Sequence, residues 1–184
     1  MAQADAYDGE ARYRLLVPIR QYGLERLEAS GEGAVYRARH ARAFLELAQS
    51  SPEAPAGPDE IPSLDRLEVE HDDLRVALRW AIVNEDSVAA LRSTAALFHF
   101  WERRGHFQEG CAWLEQALAL PGARDASASD RCRALNALAN LSFRGGDAER
   151  ARPVAEQALA ARRENGQTRG EARAPVHMGL PEYL

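Results

Sequence analysis

The densest run of groups able to do acid–base or metal chemistry is His71-Asp72-Asp73. An imidazole beside two carboxylates could supply a base, an orienting acid or metal ligands. The surrounding pattern is helical, however, and neighbours on a helix diverge by about 100°, so the three cannot converge on one atom. No second histidine or cysteine stands three or four positions from His71, the spacing a helical ligand pair needs. His99 and His106 straddle a turn without a third ligand, and His40 and His177 are isolated. Cys111 and Cys132 lie in helical patterns, with no CxxC and no histidine at ligand spacing; they read as buried free thiols of a reducing cytoplasm. No nucleophile–base pair or carboxylate pair meets the geometry of an active site. The residues therefore predict no enzyme, no metal and no cofactor.

Arg37-Ala38-Arg39-His40-Ala41-Arg42 is the one local basic patch that could meet phosphate. Glu32 and Glu46 flank it, and 28 acids against 23 bases leave the chain at −5. Phosphate neutralisation supplies most duplex affinity, so a solvated face is the expectation and direct nucleic-acid binding is not. Every base is arginine. No run of about 18 apolar residues exists to cross a membrane, and the acidic start MAQADAYDGEAR is no signal peptide. A cytoplasmic location follows as an expectation.

These groups sit on elements that read as helix. Apolar residues make up 46% of the chain, and the strong helix formers Ala, Leu, Glu and Arg dominate. Residues 1–11 show no periodicity and suggest a flexible start. Tyr13, Leu15 and Val17 alternate as a short strand that has no evident partner, and Pro18 opens a helix that ends at Ser30-Gly31. A second helix spans about 32–50, with Tyr36, His40, Ala43, Phe44 and Leu47 on one stripe. Pro52, Pro55, Pro58 and Pro62 make 52–62 a stiff linker. Ser63 is placed to cap one long helix to about Asn84, with Leu64, Leu67, His71, Leu74, Leu78 and Ala81 on its inner face.

Downstream the chain repeats itself. Gly105 precedes a helix ending Glu115-Gln116-Ala117-Leu118-Ala119, and Gly146 precedes one ending Glu156-Gln157-Ala158-Leu159-Ala160. Two helices joined by a glycine turn, recurring about every 40 residues, predict stacked antiparallel pairs. The first pair is expected over about 87–103 and 108–120. Val88, Leu91, Ala95, Phe98 and Trp101 of one helix should face Cys111, Leu114, Ala117 and Leu118 of the other. In the second pair Ala134, Leu135, Leu138 and Leu141 should meet Ala151, Ala155, Ala158 and Leu159. Pro153 should kink the last helix or delay its start. Arg169 begins a third unit, with Val176, Met178 and Gly179, that stops short, so both ends read as cut.

The second unit, Leu138-Ala139-Asn140 through Gly146-Asp147 to Ala151 and Ala158, resembles a tetratricopeptide repeat. Upstream, Arg12-Tyr13-Arg14-Leu15-Leu16 with Ile19-Arg20-Gln21-Tyr22-Gly23-Leu24-Glu25-Arg26-Leu27 is similar to the winged-helix end of bacterial STAND-type regulators. Leu67-Glu68-Val69-Glu70-His71-Asp72-Asp73-Leu74-Arg75 resembles the helix opening their tetratricopeptide region. The resemblance is to the LuxR-type and antibiotic-regulator-type ATPases, in which an NB-ARC module precedes this region and the repeats sense ligands or partners. It implies an all-α, tetratricopeptide-like α-solenoid over 63–184, behind a winged-helix remnant (a strand and two helices) over 12–51. A chain without lysine has no GxxxxGK[ST] P-loop. The expectation is thus a truncated or split sensor whose partner is a protein or peptide, such as a separately encoded NB-ARC ATPase. Carrying over the groove positions of the repeat's first helix marks Arg92, His99, Glu102 and Arg103, then Arg133, Asn136, Asn140 and Arg144. Spacings of three, four and four put the second set on one helix face. Arginine forks and asparagine amides suit a carboxylate or a peptide backbone.

Overall fold

The computed structural model describes residues 2–7, 10–50 and 60–164. The chain divides into two compact units, residues up to 40 and residues from 41 onward, each described by itself.

In the first unit, β1 (Ala2–Tyr7) and β2 (Glu10–Leu15) form an antiparallel hairpin with Ala2 opposite Leu15 and Tyr7 opposite Glu10. The lone strand left from a winged-helix domain, behind a flexible start, is therefore not what the structure contains. Strand β1 supplies the ladder partner that β2 needs. Helix α1 (Val17–Ala29) starts with proline in its first turn and ends at Ser30, followed by Gly31 at φ 75°. It buries no residue. Helix α2 (Gly33–Ser50) begins in this unit, where Arg37 of the basic patch is ion-paired with Glu28.

Among the described residues from Leu16 to Glu164 every regular element is helical. The second unit takes in the later part of α2, whose Ala41, Leu45 and Ala48 are buried. Helices α3 (Glu60–Val69) and α4 (His71–Val83) follow. Of the proline-rich linker, residues 51–59 lie outside the described residues. Helix α3 already runs from Glu60, so Pro62 occupies its first turn, where a missing N–H costs no intrahelical bond. The single helix expected over 63–84 is interrupted at Glu70 (φ −93°, ψ 7°). Hydrogen bonds from Glu70 N–H to the Arg66 carbonyl and from Leu74 N–H to the Glu70 carbonyl span the bend. The apolar stripe therefore continues across it, and Leu64, Leu67, Leu74, Ala77, Leu78 and Ala81 are all buried.

Helices α5 (Ser87–Ala96) and α6 (Phe98–Arg104) replace the one helix expected over 87–103, with Leu97 at the junction. Leu97 and Phe100 lie in the core beside Leu91 and Trp101, whereas Val88, in the first turn of α5, is 42% exposed, contrary to its expected inward face. Gly105 (φ 78°) makes the turn into α7 (Phe107–Ala119), which buries Cys111, Leu114 and Ala117. A short 3-10 turn at Pro121–Ala123 leads to α8 (Ala128–Arg144), capped by Ser127, whose side chain accepts from Asp130 N–H. Gly146 (φ 87°) turns the chain into α9 (Ala148–Glu164). Both glycines hold a left-handed conformation that a side chain would strain.

Helices α8 and α9 are antiparallel: Cys132, in the second turn of α8, lies against the Ala158 carbonyl in the second half of α9, and Leu135 packs with Ala158 and Ala161. Pro153 does not delay the helix, which starts five residues earlier at Ala148 and continues past it. The partners expected for α8 are met by Ala151 and Ala158, whereas Ala155 is half-buried and Leu159 is 45% exposed. The third unit expected from Arg169, with Val176, Met178 and Gly179, and His177 with it, lies outside the described residues. No helix among the described residues is long and apolar enough to cross a membrane.

Candidate functional site

Helices α8 and α9 do not close completely on one another. Between them runs a groove of about 220 Å³, floored by Ala139, Ala148, Ala151 and Ala155 and flanked by Phe143 and Leu159. An adjoining hollow of about 160 Å³ carries it along the same seam past Asn136, Ala158 and Arg162. The lack of bulk on the floor is the cause: alanine has no side chain beyond Cβ to fill the space between two backbones. Phe143 and Leu159 remain nearly half exposed at its edge. Arg152 and Glu156 of α9 give this apolar trench a charged rim.

Two of the residues marked from the sequence, Asn136 and Asn140, stand at this groove. The Asn140 amide donates to the Asn136 backbone carbonyl at 2.8 Å, and the Asn136 amide lies 3.5 Å from Cys132 Sγ. Arg133 lies on the same helix, one turn before. The other marked residues are engaged inside the protein. Arg92 Nε donates to Asp130 at 2.9 Å, and Asp130 is buried. Arg103 donates to Glu60 at 2.7 Å, and this hydrogen bond holds the Glu60 carboxyl below its ordinary range. His99 stands 3.4 Å from Glu60 and 3.7 Å from Glu102, and Arg144 reaches across from α8 to Glu102 at 2.9 Å. The structure thus links His99 and Arg103 through Glu60, and His99 and Arg144 through Glu102. It separates them from Asn136 and Asn140, which open on the α8–α9 seam.

Sequence reasoning missed a second polar cluster. Arg75 of α4 grips Glu109 of α7 with two hydrogen bonds of 2.6 Å, and Trp113 Nε1 donates to the same carboxylate at 3.3 Å. The guanidinium holds the Glu109 carboxyl down at about 2, against the burial that would raise it. Arg75 is correspondingly raised. Beside them His71 is pushed below its usual range, chiefly by burial, and Glu68 and His106 complete the group. A helical three-residue spacing, Glu68 to His71, was the available signal. The third member, His106, comes from 35 positions further on and no local pattern reveals it. Cys111 and Cys132 are free and buried.

The Arg75–Glu109 pair has a measurable consequence. A carboxyl with a depressed folded pKa stabilises the fold above its unfolded value of 4.5, and that stability is lost as pH falls toward about 2. Glu109→Gln should cost on the order of 2 kcal/mol at neutral pH, with Arg75 left half-exposed to water. Urea unfolding of metal-free protein checks it: the gap between wild type and variant should be full above pH 4.5 and close below it. A gap independent of pH would mean that shape, not charge, holds the contact.

Over 115 residues the chain is 39% identical to proteins of Mycobacterium bovis and Mycobacterium tuberculosis, each provisionally designated an HTH-type transcriptional regulator. The match covers 62% of this chain and 13% of each relative, so the chain spans a small part of their length. No family model matches the chain. No solved structure matches it either.

Proposed function

We propose that this chain is a non-catalytic interaction or sensor module of a bacterial, cytoplasmic transcription regulator, built as a tetratricopeptide-like stack of helix pairs. The seam between α8 and α9 receives an apolar helix or peptide of a partner protein. The observation that carries the reading is that seam: a trench floored by alanine, edged by exposed Phe143 and Leu159, with amides of Asn136 and Asn140 alongside. A helix docks in such a groove by laying its apolar side chains between backbones, while side-chain amides hold register through hydrogen bonds. The charged flank supports this division of labour. Arg92, Arg103 and Arg144 already face carboxylates of the same chain, so a partner's acid would have to displace one. The similarity to HTH-type regulators supports the link to transcription control. The partner is a protein or peptide, and an NB-ARC ATPase encoded apart from this chain suits the role.

The relatives' designation also favours a second reading, direct nucleic-acid association through residues 12–51 and the arginines of 37–42. The pairing of Arg37 with Glu28 and the net charge of −5 weigh against it.

Selection of displayed helical peptides against the full chain tests both. Peptides that bind should lose at least about tenfold in affinity with Leu159→Asp and with Asn140→Ala, and little with Arg103→Ala. A labelled duplex should give no anisotropy change at physiological salt. Peptides indifferent to both groove substitutions would sink the docking seam. Salt-dependent duplex binding abolished by Arg39→Ala and Arg42→Ala would establish the second reading.

A further inference from the structure

The cluster beside the Arg75–Glu109 pair is built where two helix junctions meet. The bend at Glu70 separates Glu68, near the end of α3, from His71, the first residue of α4. The Gly105 turn brings His106 to the start of α7. One ligand atom from each of Glu68, His71 and His106 lies within 4.8 Å of the others. His106 Nε2 stands 3.3 Å from Glu68 Oε2, and the two imidazole rings are 4.6 Å apart. His71 is held edge-on against Phe100, with its side chain 9% exposed. Its Nε2 is buried and has no hydrogen-bond partner among the described residues; Glu109 Oε1, at 3.3 Å, is out of line for one. A buried nitrogen without a partner is costly, and it points to something that completes it.

We propose that Glu68, His71 and His106 form a binding site for a divalent transition-metal ion of the zinc type, with water in the fourth position. The donor set is the one such ions take: two imidazole nitrogens and a carboxylate oxygen. A tetrahedral ion with bonds of about 2.0–2.1 Å separates its ligand atoms by roughly 3.3 Å. Glu68 and His106 already stand at that distance, and the widest separation closes by small side-chain rotations of the two more exposed groups. Local charge also favours a dication. Glu68, Glu109, Asp65 and Asp72 surround the site against the guanidiniums of Arg75 and Arg104, leaving an excess of two negative charges. The site would tie the α3–α4 bend to the α6–α7 turn, so that bound metal fixes the geometry between these helices.

The test uses the full chain freed of metal by chelation, with Co²⁺ as the spectroscopic probe and Zn²⁺ as competitor. A stoichiometric Co²⁺ complex should develop visible ligand-field absorption, and Zn²⁺ should bleach it. Glu68→Gln and His106→Gln change groups at the surface of the cluster and should leave the helical circular dichroism intact. Each should weaken binding by at least about tenfold, whereas Cys111→Ser and Cys132→Ser should not alter it. Absence of the absorption in folded wild type would overturn the site. So would unchanged binding in both the Glu68 and His106 variants, or loss of binding in a cysteine variant.

Discussion

Replacing Trp101 with alanine is expected to cost about 3–5 kcal/mol, the range for removing a large aromatic from a packed interior. Trp101 is 1% exposed and stands with Phe100, Leu91, Leu114 and Leu141 in the main core. A domain of ordinary stability holds about 5–15 kcal/mol, so the variant should melt on the order of 10 °C lower or fold only partly. Trp101→Phe separates packing from polarity. The indole Nε1 is buried without a hydrogen-bond partner among the described residues, and such an orphan donor is itself destabilising by about 1–3 kcal/mol. Phenylalanine removes that penalty while losing part of the ring, so it should fall within about 1 kcal/mol of wild type. Denaturant unfolding of the two variants checks the pair. Equal losses would mean that the indole N–H has a partner in solution.

Gly110→Val should be about as damaging, at roughly 3 kcal/mol, for the opposite reason. Gly110 lies inside α7, where glycine normally costs about 1 kcal/mol relative to alanine. A Cβ at this position would stand 2.6 Å from Leu141 Cδ1 and 2.7 Å from Trp101 Cε3. Both neighbours are fully buried and cannot yield cheaply. Overpacking of this kind costs about 1–3 kcal/mol for a methyl and more for a branched side chain, so the clash outweighs the propensity gain. Gly23 of α1 is the control: nothing lies within 4 Å of its added Cβ, and Gly23→Ala should be neutral or stabilising by up to about 1 kcal/mol. Gly110→Val made together with Trp101→Ala should cost less than the sum, because each relieves the other's misfit. Additive losses would show that the two sites do not share a contact.

Much of the helical architecture follows from the order of residues alone. The 3.6-residue recurrence of Leu64, Leu67, Leu74, Leu78 and Ala81 places a buried face before any coordinates are known. The same holds for Leu91, Trp101, Leu114, Leu135 and Leu138. Gly105 and Gly146 mark turns because only glycine takes their positive φ without strain. Asn136 and Asn140 share a helix face by spacing, and that face opens on the seam.

Tertiary packing decided the rest. The bends at Glu70 and Leu97 leave the hydrogen-bond ladder nearly continuous, so no local signal announces them. Leu97 and Phe100 nonetheless lie inward, and Val88 lies outward. The arginines marked for a partner find carboxylates on other helices: Arg92 with Asp130, Arg103 with Glu60, Arg144 with Glu102. His106, which the sequence pairs only with His99 across a turn, is set beside Glu68 and His71 by the α6–α7 turn. Periodicity reports only which face of a helix is apolar, because that is a property of neighbours along the chain. Which charge meets which depends on groups 34 to 43 positions apart, and only the packing of one helix on another brings those within reach.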